Sequence, residues 1–205
     1  LLVKLRETAA FDPAKDVALS TGPLYHAAPL ALNLNFPLVS GVGVVLMDRW
    51  DAEETLKLVA KHNVTHTHVV PTMLHRILSL PDDVRNQYDV SSLRWVLHGA
   101  APCPVHVKED TIKWLGNVVY EYYAATEGGG IFVESEEWLA KRGTVGRALE
   151  GVTVEVQDDA GVEIPAGEIG TIYFKAPETG RFEYFKAPEK TDGAYRGNYY
   201  TMGDM

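Results

Sequence analysis

The sequence predicts a layered α/β protein, a parallel-sheet lobe with flanking helices, followed by a smaller antiparallel β-rich lobe. From Val17 to about Tyr122, short β-branched runs alternate with amphipathic runs, the grammar of strand and crossover helix. After about Gly143 the pattern changes to alternation broken by Gly and Pro, the grammar of antiparallel β. A composition of 46% apolar and 23% charged residues supplies a sizeable core and excludes collagen-like, disordered and membrane-spanning chains. The boundary is expected near Lys141-Arg142-Gly143, giving an α/β subdomain over 1–142 and a β-rich subdomain over 143–205.

Strands of the first lobe are expected at Val17–Leu19, Val42–Met47, His66–Val70, Leu93–Leu97 and Val118–Tyr122. Asp51, three residues before Glu54, forms a capping-box variant, and Leu56, Val59 and Ala60 recur at helical spacing to about Lys61. Pro71 opens a second helix through Met73, Leu74, Ile77 and Leu78. Pro104 precedes a third, with Val105, Ile112 and Leu115 before Gly116 closes it. Leu30–Phe36 alternates with period two, yet its place between two strands makes helix the expectation. In the second lobe, Val152–Val156, a turn at Asp158-Asp159-Ala160-Gly161, and Thr171–Lys175 read as antiparallel strands.

Charge and cysteine usage narrow the function classes. With 28 acidic against 19 basic residues the net charge is −9, so no footprint for nucleic acid is present. The single cysteine, Cys103, has no internal disulfide partner, and a reducing, cytoplasmic location is expected. Asn33, Asn35, Pro37 and Ser40 interrupt the most apolar region, so any membrane contact is expected to be peripheral. Leu1–Arg6 lacks the apolar core of a signal peptide. A start without Met and a stop on Gly203-Asp204-Met205 lead us to expect a piece of a longer polypeptide.

Three clusters could carry chemistry at the ends of strands, where open parallel sheets hold ligands. Gly99-Ala100-Ala101-Pro102 would let backbone groups approach a flat ligand, although a plain tight turn needs the same residues. Tyr122-Tyr123-Ala124-Ala125-Thr126-Glu127-Gly128-Gly129-Gly130 offers a ring to stack on a base, a hydroxyl for phosphate and a carboxylate for Mg²⁺, or simply a strand ending in a glycine-rich loop. Asp204 after Gly203 suits two ribose hydroxyls, as well as an ordinary surface turn.

Taken in order, these clusters resemble the adenylate-forming superfamily of acyl-CoA synthetases, luciferases and peptide-synthetase adenylation domains. Tyr123-Ala124-Ala125-Thr126-Glu127 matches its Tyr-Gly-x-Thr-Glu motif with alanine for glycine. Gly99–Pro102, Gly143-Thr144-Val145-Gly146 and Gly167-Glu168-Ile169-Gly170 match three further segments. Tyr200-Thr201-Met202-Gly203-Asp204 matches a Tyr-x-Thr-Gly-Asp motif with Met202 for threonine. Pro23–Pro29 looks like the segment that lines or gates the acyl pocket, and the lack of an Asp near His26 argues against an α-amino acid substrate.

The resemblance implies the middle-to-late part of a large N-terminal domain, with the phosphate loop and C-terminal domain outside this chain. It implies that Tyr123, beside Tyr122, stacks on adenine and that Gly99, Ala100 and Ala101 line the adenine and acyl site. Thr126 would contact the α-phosphate, Glu127 would bind Mg²⁺, and Asp204 would hold the ribose; His26, His98 and Gly128 would line the substrate pocket. The implied reaction joins a lipophilic carboxylate to ATP as acyl-AMP and passes the acyl group to CoA, the piece itself being inactive. The alternatives are an adenylate former that loads a carrier protein, and a non-catalytic nucleotide-binding or interaction module of the same fold.

Other features read as structure. His66 and His68 share a strand face, but with His62 they lack an acidic or thiol third ligand, so pocket-wall or structural histidines are expected. No Gly-x-Ser-x-Gly elbow or His-Glu-x-x-His helix occurs, and Gly41-Val42-Gly43 lacks the third glycine of a dinucleotide fingerprint. Cys103 between prolines reads as a packed loop residue, and Glu134, Glu136 and Glu137 as a solvated face.

Overall fold

The computed structural model describes all 205 residues, which form two compact units. The first comprises Leu1–Tyr123 and Ile131–Arg147, the second Ala124–Gly130 and Ala148–Met205. Packing thus divides the chain at Arg147, a few residues after the division expected at 142/143, and assigns Ala124–Gly130 to the second unit.

The larger sheet holds β1 (Val17–Ser20), β2 (Gly43–Leu46), β3 (His66–Val69), β4 (Trp95–His98), β5 (Val119–Ala125), β6 (Gly128–Glu134) and β7 (Arg147–Ala148), in the order β2-β1-β3-β4-β5-β6-β7. β2, β1, β3, β4 and β5 pair in parallel, as the alternation of strand and helix requires. Only Thr126 and Glu127 connect β5 to the neighbouring β6, a hairpin link that no parallel pair allows. Gly128, Gly129 and Gly130, for which a glycine-rich loop is the alternative reading, instead open the strand Gly128–Glu134. Its glycines hide the β pattern in the sequence, but one of them has a packing reason: a Cβ on Gly130 would lie 2.9 Å from the Val152 side chain.

Register fixes the two faces of the parallel strands. His66, Trp95 and Leu97 share one face with His68 and Tyr120, while Val69, His98 and Glu121 share the other. Helix α1 (Leu2–Ala9), not anticipated, covers the first face. There Leu5 and Ala9 are buried, and Trp95 Nε1 donates to Thr8 Oγ1 at 3.2 Å. A row of rings crosses the strands beneath it: Phe11–His66 at 4.4 Å, His66–Trp95 at 5.9 Å, Trp95–Tyr120 at 6.2 Å and Tyr120–Phe132 at 5.9 Å.

On the other face, Val69 and Val96 pack against Leu74 of α4 (Pro71–Leu78) and Val107 of α6 (Val105–Leu115). The helix signals work as expected. Asp51 Oδ1 accepts from Glu54 N at 2.9 Å to cap α3 (Ala52–His62), and Asn63 closes that helix in the left-handed region at φ 50°. Pro71 occupies the first turn of α4, and Gly116 ends α6 at φ 84°. Leu56 and Val59 of α3 are buried, and Val59 packs with Leu19 and Val64.

Pro29–Asn35 is helical as expected but wound as a π-helix, leading into the short α2 (Phe36–Val39). Asn33 turns inward: its Nδ2 donates to His68 O at 3.2 Å and its Oδ1 accepts from His68 N at 3.1 Å. Those paired bonds fasten the segment to β3. Short helices α5 (Asp82–Arg85) and α7 (Ser135–Ala140) complete the unit. Of the acidic run read as a solvated face, Glu134 pairs with Lys4 at 2.9 Å and Glu137 with Arg147 at 2.6 Å.

The second unit is built on an antiparallel sheet of order β10-β11-β9-β8: β8 (Val154–Gln157), β9 (Thr171–Lys175), β10 (Tyr195–Arg196) and β11 (Tyr199–Thr201). Val154 pairs with Phe174, and Tyr200 with the same residue from the other side, so the alternation predicted for both segments points Phe174 and Tyr200 to one face. Their rings stack at 5.7 Å, and Phe182 adds edge contact to Tyr200 at 5.4 Å. The expected Asp158–Gly161 turn forms, with Asp158 Oδ1 accepting from Val162 N at 2.8 Å. Helix α8 (Pro188–Ala194) precedes β10. No helix in either unit is long and apolar enough to cross a membrane.

Candidate functional site

In the first unit the candidate residues gather where β4 and β5 end. Gly99 follows β4 directly, and a Cβ there would lie 2.6 Å from Cε1 of Tyr122. The missing side chain thus makes room for the Tyr122 ring. Ala100 takes the left-handed region at φ 68°, rare for a residue with a Cβ, and both Ala100 and Ala101 are exposed.

Tyr122 is buried, and its hydroxyl lies 3.2 Å from His68 Nε2. Burial pushes the His68 pKa down to about 4 and that of Tyr122 up to about 12. Both groups are neutral at pH 7, and the imidazole tautomer sets which of the two donates. Tyr123 is half-buried. His26 lies exposed in the loop after β1, its ring 4.6 Å from that of Tyr25.

His98 is fully buried with both ring nitrogens unpartnered, and burial holds its pKa well below the usual imidazole range. Beside it lies a pair that sequence reading missed: Lys108 Nζ of α6 donates to Glu121 Oε2 of β5 at 2.5 Å, and both residues are buried. Burial draws the Lys108 pKa down and the Glu121 pKa up, against the attraction each offers the other. In the sequence Lys108 looks like any polar helix residue.

In the second unit Thr126 is exposed and Glu127 is half-buried at the turn into β6. Tyr184 Oη donates to Glu127 Oε1 at 2.9 Å, which holds the carboxylate in place. Nothing near Tyr184 in the sequence marks it for this role. Gly128 sits at φ 144°, where a Cβ would lie 2.1 Å from Tyr200 Oη, and that hydroxyl accepts from Gly129 N at 2.8 Å. Tyr200 therefore braces the backbone that follows Glu127. At the chain end Gly203 turns at φ 89°, and its N–H donates to Thr201 Oγ1 at 3.0 Å. The hydroxyl one residue before Met202 thus contacts the motif's glycine. Asp204 is exposed, and its carbonyl accepts from Ile172 N at 2.9 Å.

The features read as structural behave so. His66 Nε2 meets Ala9 O at 2.7 Å and its Nδ1 meets Thr65 Oγ1 at 2.7 Å, leaving no free ring nitrogen for a metal. No group of three or more His, Cys, Asp or Glu side chains is arranged to hold a metal ion. Burial pushes the Cys103 thiol up to about 12, far from a nucleophile's range.

The chain matches the family described as "AMP-binding enzyme" over residues 2–182. It is 32% identical over 187 residues to a 4-coumarate–CoA ligase-like protein of Arabidopsis thaliana, covering 88% of this chain and 33% of that protein. It is 31% identical over 196 residues to the long-chain-fatty-acid–CoA ligase FadD13 of Mycobacterium tuberculosis, covering 93% of this chain and 37% of that protein. The chain spans about a third of the length of these relatives. The inhibitor-bound N-terminal domain of FACL13 from Mycobacterium tuberculosis superposes with a TM-score of 0.74 at 29% identity, covering 92% of this chain and 46% of that one. The AMP complex of an o-succinylbenzoate–CoA synthetase from Bacillus subtilis shares the fold, with a TM-score of 0.79 at 23% identity over 98% of this chain and 40% of that one. With 181 consecutive residues matched, and with relatives that are CoA ligases, this chain belongs to the AMP-binding family of adenylate-forming enzymes.

Proposed function

We propose that the chain is the middle part of an acyl-CoA synthetase that joins a lipophilic carboxylic acid, fatty or aryl, to ATP as acyl-AMP and then to CoA. The observation that carries this reading is Glu127, a carboxylate held by Tyr184 at a turn braced by Tyr200, within the matched family region. The similarity to a fatty-acid ligase and to a 4-coumarate ligase-like protein supports the substrate class.

The residues fit a Mg²⁺ that travels with the nucleotide. Mg²⁺ keeps several waters and takes one or two carboxylates plus substrate phosphates, so a lone Glu127 suffices where an all-protein cage would need a cluster. When bound there, the ion neutralises phosphate charge. Thr126, exposed beside Glu127, would donate its hydroxyl to the α-phosphate, and Tyr123 would offer a ring face to adenine. Gly99, Ala100 and Ala101 would present backbone to the base and the acyl group, and Asp204 would accept from the ribose hydroxyls. His26 and Gly128 would line the acyl pocket, together with His98. The carboxylate oxygen of the substrate attacks the α-phosphorus and pyrophosphate leaves; a thiol then displaces AMP. A single cysteine without a disulfide partner supports a cytoplasmic location.

The test is carboxylate-dependent pyrophosphate–ATP exchange by the full-length polypeptide that carries this chain, across fatty, aryl, sterol and amino acids. Exchange with one lipophilic class, and none by the 205-residue chain alone, is the expected result. Silence across the panel from a folded polypeptide that binds ATP would contradict it.

A further inference from the structure

We propose that Lys108 and Glu121 are positioning residues: their buried ion pair anchors the loop from Gly99 to Cys103 and holds Ala100 in its left-handed conformation, so that the loop presents its backbone to the nucleotide. The value of this to the enzyme rests on the role of that loop proposed above.

The argument begins with placement. His98 and Glu121 are register partners on β4 and β5, so their side chains rise side by side from one face of the sheet. Lys108 reaches down to that face from α6, the helix into which the loop leads. Its ammonium is wholly buried, bonded to Glu121 at 2.5 Å and set 5.0 Å from the centre of the Trp138 ring. The pair thus ties α6, into which the loop leads, to β5, the strand that pairs with β4 at the residue before the loop. Entering it, His98 places Nε2 3.7 Å from Glu121 Oε2. Leaving it, Cys103 packs against the buried cluster that includes Val107 of α6 and Val96 of β4.

Between these anchors lies Ala100 at φ 68°. A residue with a Cβ stays in that region only where its surroundings overdetermine it. A buried ion pair contributes little net stability compared with apolar residues of the same volume, so its presence here calls for another use. Fixing the two elements that flank a strained loop is such a use, since a directional ion pair resists sliding in a way that an apolar contact does not.

The test replaces the pair with apolar residues, Lys108→Met/Glu121→Leu, a change that keeps the volume and strands no charge. Two readouts are needed. Alkylation of Cys103, followed on its own peptide by mass spectrometry, reports the loop without reference to activity. It should be slow in the native protein, where the thiol is half-buried and burial pushes its pKa up to about 12. The expected result is at least a tenfold faster alkylation in a variant of unchanged circular dichroism, with faster hydrogen exchange over residues 98–104. In the full-length polypeptide the KM for ATP should rise about tenfold with kcat within about threefold. Adding Ala100→Gly, which removes the cost of the left-handed conformation, should restore most of that KM; general destabilisation would not be repaired this way. Unchanged alkylation and exchange in the folded variant would overturn the proposal. A released loop with unchanged KM would leave the pair as an anchor but remove the loop from the nucleotide site, overturning the reading beneath it. If the double variant does not fold, Glu121→Gln keeps the shape and one acceptor for Lys108, and the same two readouts decide.

Discussion

The two units treat their carboxylates in opposite ways. In the first, Glu121 is buried and matched to a buried Lys108, so its charge is spent inside the protein. In the second, Glu127 stands half-buried at a turn, with one oxygen held by the Tyr184 hydroxyl and no cationic partner among the ion pairs. The difference matches the two proposed roles, one carboxylate that positions and one that presents. A carboxylate without a cationic partner beside exposed Thr126 suits a metal-bound phosphate; a paired one under a strained loop suits a fixed scaffold.

The sharpest way to break this contrast is to unpair the buried carboxylate. Lys108→Met should lower unfolding stability by about 3–5 kcal/mol, because Glu121 is left buried and alone, while adding Glu121→Leu should recover most of it. Urea denaturation of the three proteins checks this, and equal losses in single and double variants would show that the pair is not a unit. Next in size is Glu127→Ala, which should cut pyrophosphate–ATP exchange by about 100- to 1000-fold, the scale of losing one electrostatic stabiliser of the transition state, with stability nearly unchanged. Exchange that survives intact would remove Glu127 from the metal role.

Acid sharpens the same comparison. The His68 pKa is depressed to about 4 by burial, below the model-peptide value of 6.5, so the unfolded chain binds the extra proton between those values. Stability is present above pH 6.5 and is lost as pH falls toward 4, by up to about 3 kcal/mol for this one group. Denaturation midpoints at pH 7 and pH 4.5 should show the loss in the native chain and a smaller one in His68→Gln. Smaller again, Asp204→Ala should weaken ATP binding by roughly 1.5–3 kcal/mol if the carboxylate accepts from the ribose, as calorimetric titration would show. Smallest is Tyr184→Phe, which frees the Glu127 side chain and should lower exchange by about three- to tenfold with little change in midpoint, since one hydrogen bond is worth about 1 kcal/mol.

Much of the fold was legible because its signals are local. Asp51 and Asn63 delimit α3 by capping chemistry alone, and Thr171–Lys175 declares itself by alternation. What failed needs distant partners to explain it. Gly128–Gly130 can be read as a loop because glycine carries no strand signal, and only the brace from Tyr200 and the crowding by Val152 show why small residues open a strand there. Leu30–Phe36 is helical as its place between two strands implies, but its π winding, beside the two bonds from Asn33 to the His68 backbone, carries no sequence signal.

The site divides along the same line. Thr126, Glu127 and Asp204, the residues proposed to meet the ligand, stand in contiguous motifs visible in the sequence. Their holders do not: Tyr184 is 57 residues from Glu127, and Lys108 is 13 from Glu121 on a different element. A motif lists residues adjacent in the chain, while the partners that fix their side chains are chosen by tertiary packing.

The most direct measurement is steady-state exchange by the full-length polypeptide, comparing Glu127→Gln with Lys108→Met/Glu121→Leu. A presenting residue should act on kcat and a positioning pair on KM. The account predicts a collapse of kcat at near-native KM for ATP in the first, and a raised KM at near-native kcat in the second. The same parameter moving in both, or neither moving in Glu127→Gln, would contradict it.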